Sequence, residues 1–512
     1  MAHGQAKDHQ QFLLLPSKGV TVDSASSTAS TSQFFRDIDT ACNKIKTASA
    51  HPYSVMPGID YELSGPENLK IRVLDSLSDV GPKLVSLTQE QISALRARQP
   101  GVRVVPIVYY EPALAPRPSV VEGPTAAGVA VEIKIRIQVV SSRGGTPIEG
   151  AKVIAFLNFE QQRGDDQITD DNGNVDLNLG GASAKLERLY IYHDLGFWRY
   201  FKRNVTLTSG MKIKMVPVDV AFTDLSRHLY GTSALNEGAG LKVGVIDTGV
   251  APHSDLLIDG GACTVSGEDP TDFGDNGEGH GTHVAGIIAA RGTFPNGIRG
   301  IAPGVTLRSY RVYPKGSGKA TNVAVTGAIL RAMQDGCDLL NMSLEASQLD
   351  PAILDAVADA RSAGILTFAS AGNGHRKTVS MPAASPDVLA VSAMGRRGTW
   401  PRGAGQVENI ARPFGTDPKN FIADFSNVGP ELDLTGPGVG VISTFPGGYA
   451  AMDGTSMACP AVVGMAARTL AARPDILGMA RDLARAEAMQ QAVLGAAHQL
   501  GFGATFEGQG IL

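Results

Sequence analysis

Three residues, far apart in the chain, have the side chains that nucleophilic chemistry needs. Asp247 ends the apolar run "VGVID", His280 stands in "GEGHGTHVAG", and Ser456 stands in "MDGTSMACPAVVG". A serine hydroxyl is a weak nucleophile until a base takes its proton. An imidazole can be that base near neutral pH, and a carboxylate can fix its tautomer and stabilise its charged form. Taken singly, each residue has a plainer role: the serine as a helix cap, the aspartate as a turn residue, the histidine as an exposed group among glycines. Together they share a kind of position, a strand end or a helix start beside glycines that allow close access.

The elements that must hold them follow from the pattern after residue 218. Continuous apolar strands ("LKVGVID", "VTLRSYRVY", "DLLNMSL", "ILTFASA", "DVLAVSAM") alternate with helical segments ("THVAGIIAA", "NVAVTGAILRAMQD", "PAILDAVADARSAG"). This predicts an α/β fold, a parallel sheet with helices on both faces. In such sheets chemistry sits at the carboxyl ends of the strands.

The blocks "VGVIDTGV", "GHGTHVAG" and "GTSMACP" resemble the three active-site blocks of the subtilisin-like serine proteases. The resemblance covers about residues 220–512 and extends to "GIAPG", "NMSL", "SAGN" and "GQGIL". It implies a subtilisin-like fold and a serine endopeptidase working through an acyl-enzyme. Ser456 would attack, His280 would act as base and then acid, and Asp247 would orient it. The resemblance adds Asn373, in "ASAGNG", whose side chain would join the Ser456 backbone N–H in cradling the oxyanion; developing charge needs such preorganised donors. It also implies that Gly316, Ser317 and Gly318, with Ser343, Leu344 and Glu345, take the substrate as an added strand. Glu345 replaces a usual glycine. Its carboxylate either favours Lys or Arg before the cleaved bond or points to solvent. Ala461 stands where most relatives carry a histidine outside the triad, and His283 reads as a structural helix histidine. No cofactor is required. "TDDNGNVD" lacks the spacing of an EF-hand and reads as a hairpin turn. "RGTFPNGIRGIAPG" is shorter than the family's calcium-binding loop, so calcium has no support in the sequence. An extra loop at about 396–420 reads as a lid, a partner surface or a tolerated insertion.

The front half divides by composition. Residues 1–11 are expected to form a disordered tail. Residues 12–112 read as a small α+β domain, with a helix in "STSQFFRDIDTACNKIKTAS", a strand in "NLKIRVLDSL", a capping box from Thr88 to Gln91 and a strand in "VRVVPIVYY". Residues 113–128, rich in Pro and Ala, read as a linker. Residues 129–218 carry short strands separated by turn clusters, which predicts a β-sandwich; one strand alternates Val131, Ile133, Ile135, Ile137 and Val139 on one face. The protease domain then spans 219–512. Residues 12–112 resemble the inhibitory propeptides of these proteases, in which a final strand covers the enzyme. Residues 129–218 resemble the transthyretin-like or carboxypeptidase-regulatory sandwiches. The resemblance implies regulation by the N-terminal domain and leaves cleavage open between the linker, residues 218–235, and no cleavage. A different reading is a latent or regulatory protease-like protein acting through a partner of the sandwich.

The whole chain bounds the partners. Its 45 basic and 50 acidic residues give a net charge of −5, with no basic excess for nucleic acid. There is no apolar run long enough for a membrane span. The N-terminus lacks a positive segment followed by a long apolar one, so no signal peptide is read. This predicts a cytoplasmic protein as synthesised, with export needing an unconventional route. Partners are a protein or peptide substrate and a regulatory partner of the sandwich. Cys42, Cys263, Cys337 and Cys459 form no C-x-x-C pair, which argues against zinc. They read as buried thiols, with two bridges left open.

Overall fold

The run "FLLLP" is apolar at every position because both faces of its strand are covered. The computed structural model describes residues 9–18, 25–48, 58–64, 68–123 and 134–512. Among these, strand Gln10–Pro16 lies in a five-stranded antiparallel sheet, flanked by Lys83–Leu87 and Val102–Pro106. Leu14 faces Phe34, Phe35 and Ile38 of helix Ala25–Ala48 and Ile92 and Leu95 of helix Gln89–Arg98. Leu13 and Leu15 point the other way and meet Val323 and Ala352 of the C-terminal domain. Helix Gln89–Arg98 starts at a full capping box: Gln91 N–H donates to Thr88 Oγ1 and Thr88 N–H to Gln91 Oε1. The ordered strand begins at Gln10, before Phe12, because Gln10 and Gln11 pair with Leu87 and Ser86. The strand expected across 102–110 is two. Val102–Pro106 stays in the sheet, while Tyr109–Pro112 leaves it and pairs with the C-terminal domain. A peptide cannot end one sheet and enter another without such a break.

Residues 135–215 form two sheets facing one core. Strand Ile135–Ser141 pairs with Asn174–Leu177 and Lys212–Met215, and Ser183–Tyr192 pairs with Lys152–Asn158 and Tyr200–Thr208. Ile135, Ile137 and Val139 pack between them against Val153, Leu189 and Ile191, as strand alternation requires; Val131 and Ile133 lie outside the described residues. "TDDNGNVD" is a turn in which Asp170 Oδ1 accepts N–H from Asn172 and Asn174.

The C-terminal domain is a mostly parallel α/β sheet. Strand Lys242–Asp247 lies between Thr306–Arg311 and Leu339–Met342, followed by Leu366–Ser370 and Val388–Arg396. Helices His280–Ala289 and Thr455–Ala471 cover one face. Helices Asn322–Gln334 and Pro351–Ser362 cover the other. The extra loop at 396–420 carries a 3-10 turn, Gly405–Asn409, and a strand, Ile410–Phe414. It is where the sandwich docks. Gly405 N–H donates to Arg199 C=O at 2.7 Å, Tyr190 Oη donates to Glu408 at 3.0 Å, and Trp198 is buried beside Ala404. The four cysteines are buried free thiols. Among the described residues no helix is long and apolar enough to cross a membrane.

Candidate active site

Asp247 is the last residue of its strand and is buried. Its Oδ1 accepts from the Thr248 N–H at 2.7 Å and sits 2.7 Å from His280 Nδ1. This bond fixes the orientation of the imidazole and leaves Nε2 on the opposite side of the ring. His280 opens its helix after Gly279, which has φ +74. A Cβ at Gly279 would lie 2.4 Å from the Phe445 ring, so glycine is required there. Among the described residues Nε2 of His280 has no hydrogen-bond partner. The Ser456 hydroxyl instead donates to the Ser343 carbonyl at 3.1 Å. Asp247 and His280 are therefore joined, while the serine hydroxyl is turned away from the histidine.

Ser456 lies in the first turn of helix Thr455–Ala471, where backbone N–H groups lack helical partners. Its own N–H donates to the carbonyl of Ala113 at 3.1 Å. The chain's own backbone thus lies across Ser456. Tyr109–Pro112 runs antiparallel between two edges, Ala320–Thr321 on one side and Leu344–Glu345 on the other. Ala113 N–H donates to Ser343 C=O at 3.2 Å, and Ala115 N–H to Asp453 C=O at 3.0 Å. A Cβ on Gly454 would meet the Ala113 oxygen at 2.7 Å, so this glycine admits the strand. Tyr110 is buried, and its hydroxyl donates to Asp350 at 3.1 Å.

Ser343, Leu344 and Glu345 form one of these edges. Gly316, Ser317 and Gly318 do not pair with the strand. They form the turn before it, tied by Gly316 N–H to Asn276 C=O and by Asn276 Nδ2 to Ser317 C=O, and the pairing edge begins at Ala320. Asn373 is buried; its Oδ1 accepts the Thr455 N–H at 2.9 Å, and its Nδ2 donates to Glu345 Oε1 at 3.5 Å. Glu345 does not point to solvent. Its carboxylate accepts from the Asn373 backbone N–H at 3.2 Å and from Ser380 Oγ at 3.1 Å, and burial raises its pKa. It borders a cleft of about 410 Å³ together with Lys377 and Met381. His283 is buried with its Nε2 against Ala450 C=O, and burial lowers its pKa to about 3. Burial also raises the Cys459 thiol, and Ala461 is packed in the core behind Ser456. Among the described residues no group of three His, Cys, Asp or Glu is arranged to hold a metal. The loop at 291–304 is instead gathered by Asp255, which accepts from Ile298 N–H and Tyr449 Oη at 2.8 Å each.

Sequence reasoning did not find the carbonyl of Ala113 at Ser456, the buried Asp350, or the role of Asp453. The cue available for the first was the short strand "YYEP" leading straight into a proline-rich linker.

A buried carboxylate–imidazole pair at strand and helix ends, with a serine at a helix start, is the set of groups expected of a serine hydrolase on an α/β sheet. The chain belongs to the subtilase family, whose family model matches residues 238–511. It is 39% identical to Subtilisin DY of Bacillus licheniformis over 246 residues, 47% of this chain and 80% of the relative. It is 39% identical to Subtilisin Savinase of Lederbergia lenta over 232 residues, 45% and 76% of the two chains. It is 31% identical to Alkaline elastase YaB of Bacillus sp. (strain YaB) over 362 residues, 67% and 87% of the two chains. The protein is a subtilisin-like serine endopeptidase acting on protein or peptide substrates.

Proposed function

We propose that Ser456, His280, Asp247 and Asn373 carry the reaction, and that residues 9–113 hold the enzyme latent. The Ser456 hydroxyl leaves the Ser343 carbonyl and turns to His280 Nε2, which takes its proton as Oγ attacks the substrate carbonyl. Asp247, bonded to Nδ1, stabilises the imidazolium that results. The Ser456 N–H and the Asn373 amide receive the oxyanion. His280 then returns the proton to the leaving amine, and water repeats the sequence on the acyl-enzyme.

The observation that carries the latent state is the 3.1 Å bond from Ser456 N–H to the Ala113 carbonyl. It makes Ala113–Leu114 the bond in line for attack, with Pro112, Glu111 and Tyr110 as the residues before it. The N-terminal domain reinforces this strand by packing Leu13, Leu15 and Val105 on Val323 and Ala352, and by the ion pairs Arg103–Asp355 and Lys18–Asp359. The purified full chain is expected to yield a new N-terminus at Leu114 and then to hydrolyse casein. Ser456→Ala is expected to do neither while remaining folded. Casein hydrolysis by folded Ser456→Ala would refute the assignment.

A further inference from the structure

The segment that crosses Ser456 continues past the bond in line for attack, and what receives it is the sandwich. Ala115 N–H is held by the Asp453 carbonyl. Two residues on, the Arg117 guanidinium makes two bonds to the Asp194 carboxylate, one of them 3.2 Å long. Its centre lies 4.8 Å from the centre of the Tyr192 ring. Farther along, Val121 N–H donates to Gln162 C=O at 2.9 Å, and Gly164 N–H to Glu122 C=O at 3.0 Å, so the segment runs along a sandwich edge.

This wall is fixed to the catalytic floor. Arg199, next to the buried Trp198, pairs through Nε with Asp453 at 3.1 Å. Asp453 is the same residue whose carbonyl takes the Ala115 N–H. Gly196 N–H donates to the Tyr449 carbonyl at 2.9 Å, in the loop that carries Asp194 and Leu195. Tyr192 is buried and stacked on Tyr190, so its ring is a rigid platform. A planar guanidinium that stacks on an aromatic face and forks onto a carboxylate matches this pair; a lysine ammonium would not fill both contacts.

We propose that the sandwich builds the substrate groove downstream of the scissile bond, and that Asp194 with Tyr192 forms a subsite for arginine at the fourth position after it. This rests on the reading that Ala113–Leu114 is the bond in line for attack. In the full chain Arg117 occupies the subsite. In substrates it selects a peptide or protein segment with a basic residue four places beyond the cut.

The test uses full-length chains carrying Arg117→Ala, which frees the subsite, with Asp194 intact or replaced. Three quenched peptides share Tyr-Glu-Pro-Ala before the cut and Leu-Ala-Pro after it, and end in Arg, Ala or Glu at the fourth position. The readout is the ratio of kcat/KM values within each chain, so differences in folding or active fraction cancel. With Asp194 intact, Arg is expected to exceed Ala roughly tenfold, the sum of a partly exposed ion pair and a cation–π contact. Asp194→Ala should bring the ratio near one, and Asp194→Lys should invert it in favour of Glu. Cleavage of all three peptides at equal rates with Asp194 intact overturns the subsite, as does an Arg preference that survives Asp194→Lys. If no chain cuts any peptide or labels at Ser456 with a fluorophosphonate, the reading of the active site fails and takes the subsite with it.

Discussion

Removing the Tyr110 hydroxyl tests whether the strand across Ser456 is an inhibitor. The Tyr110 ring is buried, and its hydroxyl donates to Asp350 Oδ2 at 3.1 Å. Asp350 is also buried; its Oδ1 accepts from the Ala352 N–H at 3.0 Å and from Asn322 Nδ2 at 3.3 Å. Burial raises the Asp350 pKa, so each donor matters to its charged form. A hydrogen bond to a charged group is worth about 1.5–3 kcal/mol. Tyr110→Phe keeps the ring and the register and loses that amount from the covered state. If exchange between covered and open states is fast, labelling of Ser456 by a fluorophosphonate follows the open population. The label in the full-length band on a gel should then form about 10- to 150-fold faster. Tyr110→Ala removes the ring too, a loss of about 3–5 kcal/mol for a large buried side chain, and should label faster still. Tyr109 is 58% exposed, so Tyr109→Phe should label like the parent. Equal labelling rates for Tyr110→Phe and the parent, with unchanged unfolding midpoints, would refute the argument.

Three further outcomes follow from the same contacts. Arg103→Glu breaks the partly buried pair with Asp355 and should speed labelling about threefold, and adding Asp355→Arg should restore the slow rate, as a double-mutant cycle on full-length chains would show. Glu345 lines the cleft and accepts from the Asn373 backbone N–H, so Glu345→Gln should lower cleavage after Lys or Arg about tenfold relative to cleavage after Ala; a peptide library indifferent to basic residues before the cut would end that idea. His283 has a folded pKa of about 3 against 6.5 for the free side chain, so the unfolded chain binds its proton first. This stability is present above pH 6.5 and is lost as pH falls toward 3, amounting to about 3 kcal/mol by pH 4. Urea midpoints between pH 7 and pH 4 should fall less steeply in His283→Gln, and equal slopes would show that another group governs acid unfolding.

Local signals were readable where one segment settles its own environment. The strand end at Asp247 and the helix starts at His280 and Ser456 follow from hydrophobic pattern and glycine spacing. The Thr88–Gln91 capping box closes within four residues. The continuous apolar run at Leu13–Leu15 is explained only by two partners, helices on one face and Val323 with Ala352 on the other. Other features depend on residues distant in sequence. Glu345 turns inward because Asn373 and Ser380 offer donors, 28 and 35 positions away. The pairing edge falls at Ala320 and not at Gly316 because the glycines are used to turn the chain and bond back to Asn276. The insertion at 396–420 has no meaning until Arg199 and Tyr190 of the sandwich meet Gly405 and Glu408.

The order of domains, with a sandwich between an inhibitory segment and an enzyme, has a mechanical consequence on this reading. Hydrolysis at Ala113–Leu114 separates groups that are held very differently. Upstream, the strand Tyr109–Pro112 and the N-terminal sheet become a separate polypeptide, retained by non-covalent contacts that include Leu13, Leu15 and Val105 on Val323 and Ala352, the ion pairs Arg103–Asp355, Lys18–Asp359 and Lys319–Glu111, and the strand itself. Before the cut that segment competes as a tethered ligand at the millimolar effective concentration of a short linkage; after it, occupancy depends on the bulk concentration. Downstream, Ala115 and Arg117 remain covalently joined to the sandwich, and Arg199 holds the sandwich against Asp453. A single bond cleavage therefore empties the upstream half of the groove by dissociation and leaves the downstream half with its wall in place. The sandwich need not be removed for activity, because it does not cover the nucleophile; it continues the groove that the nucleophile serves.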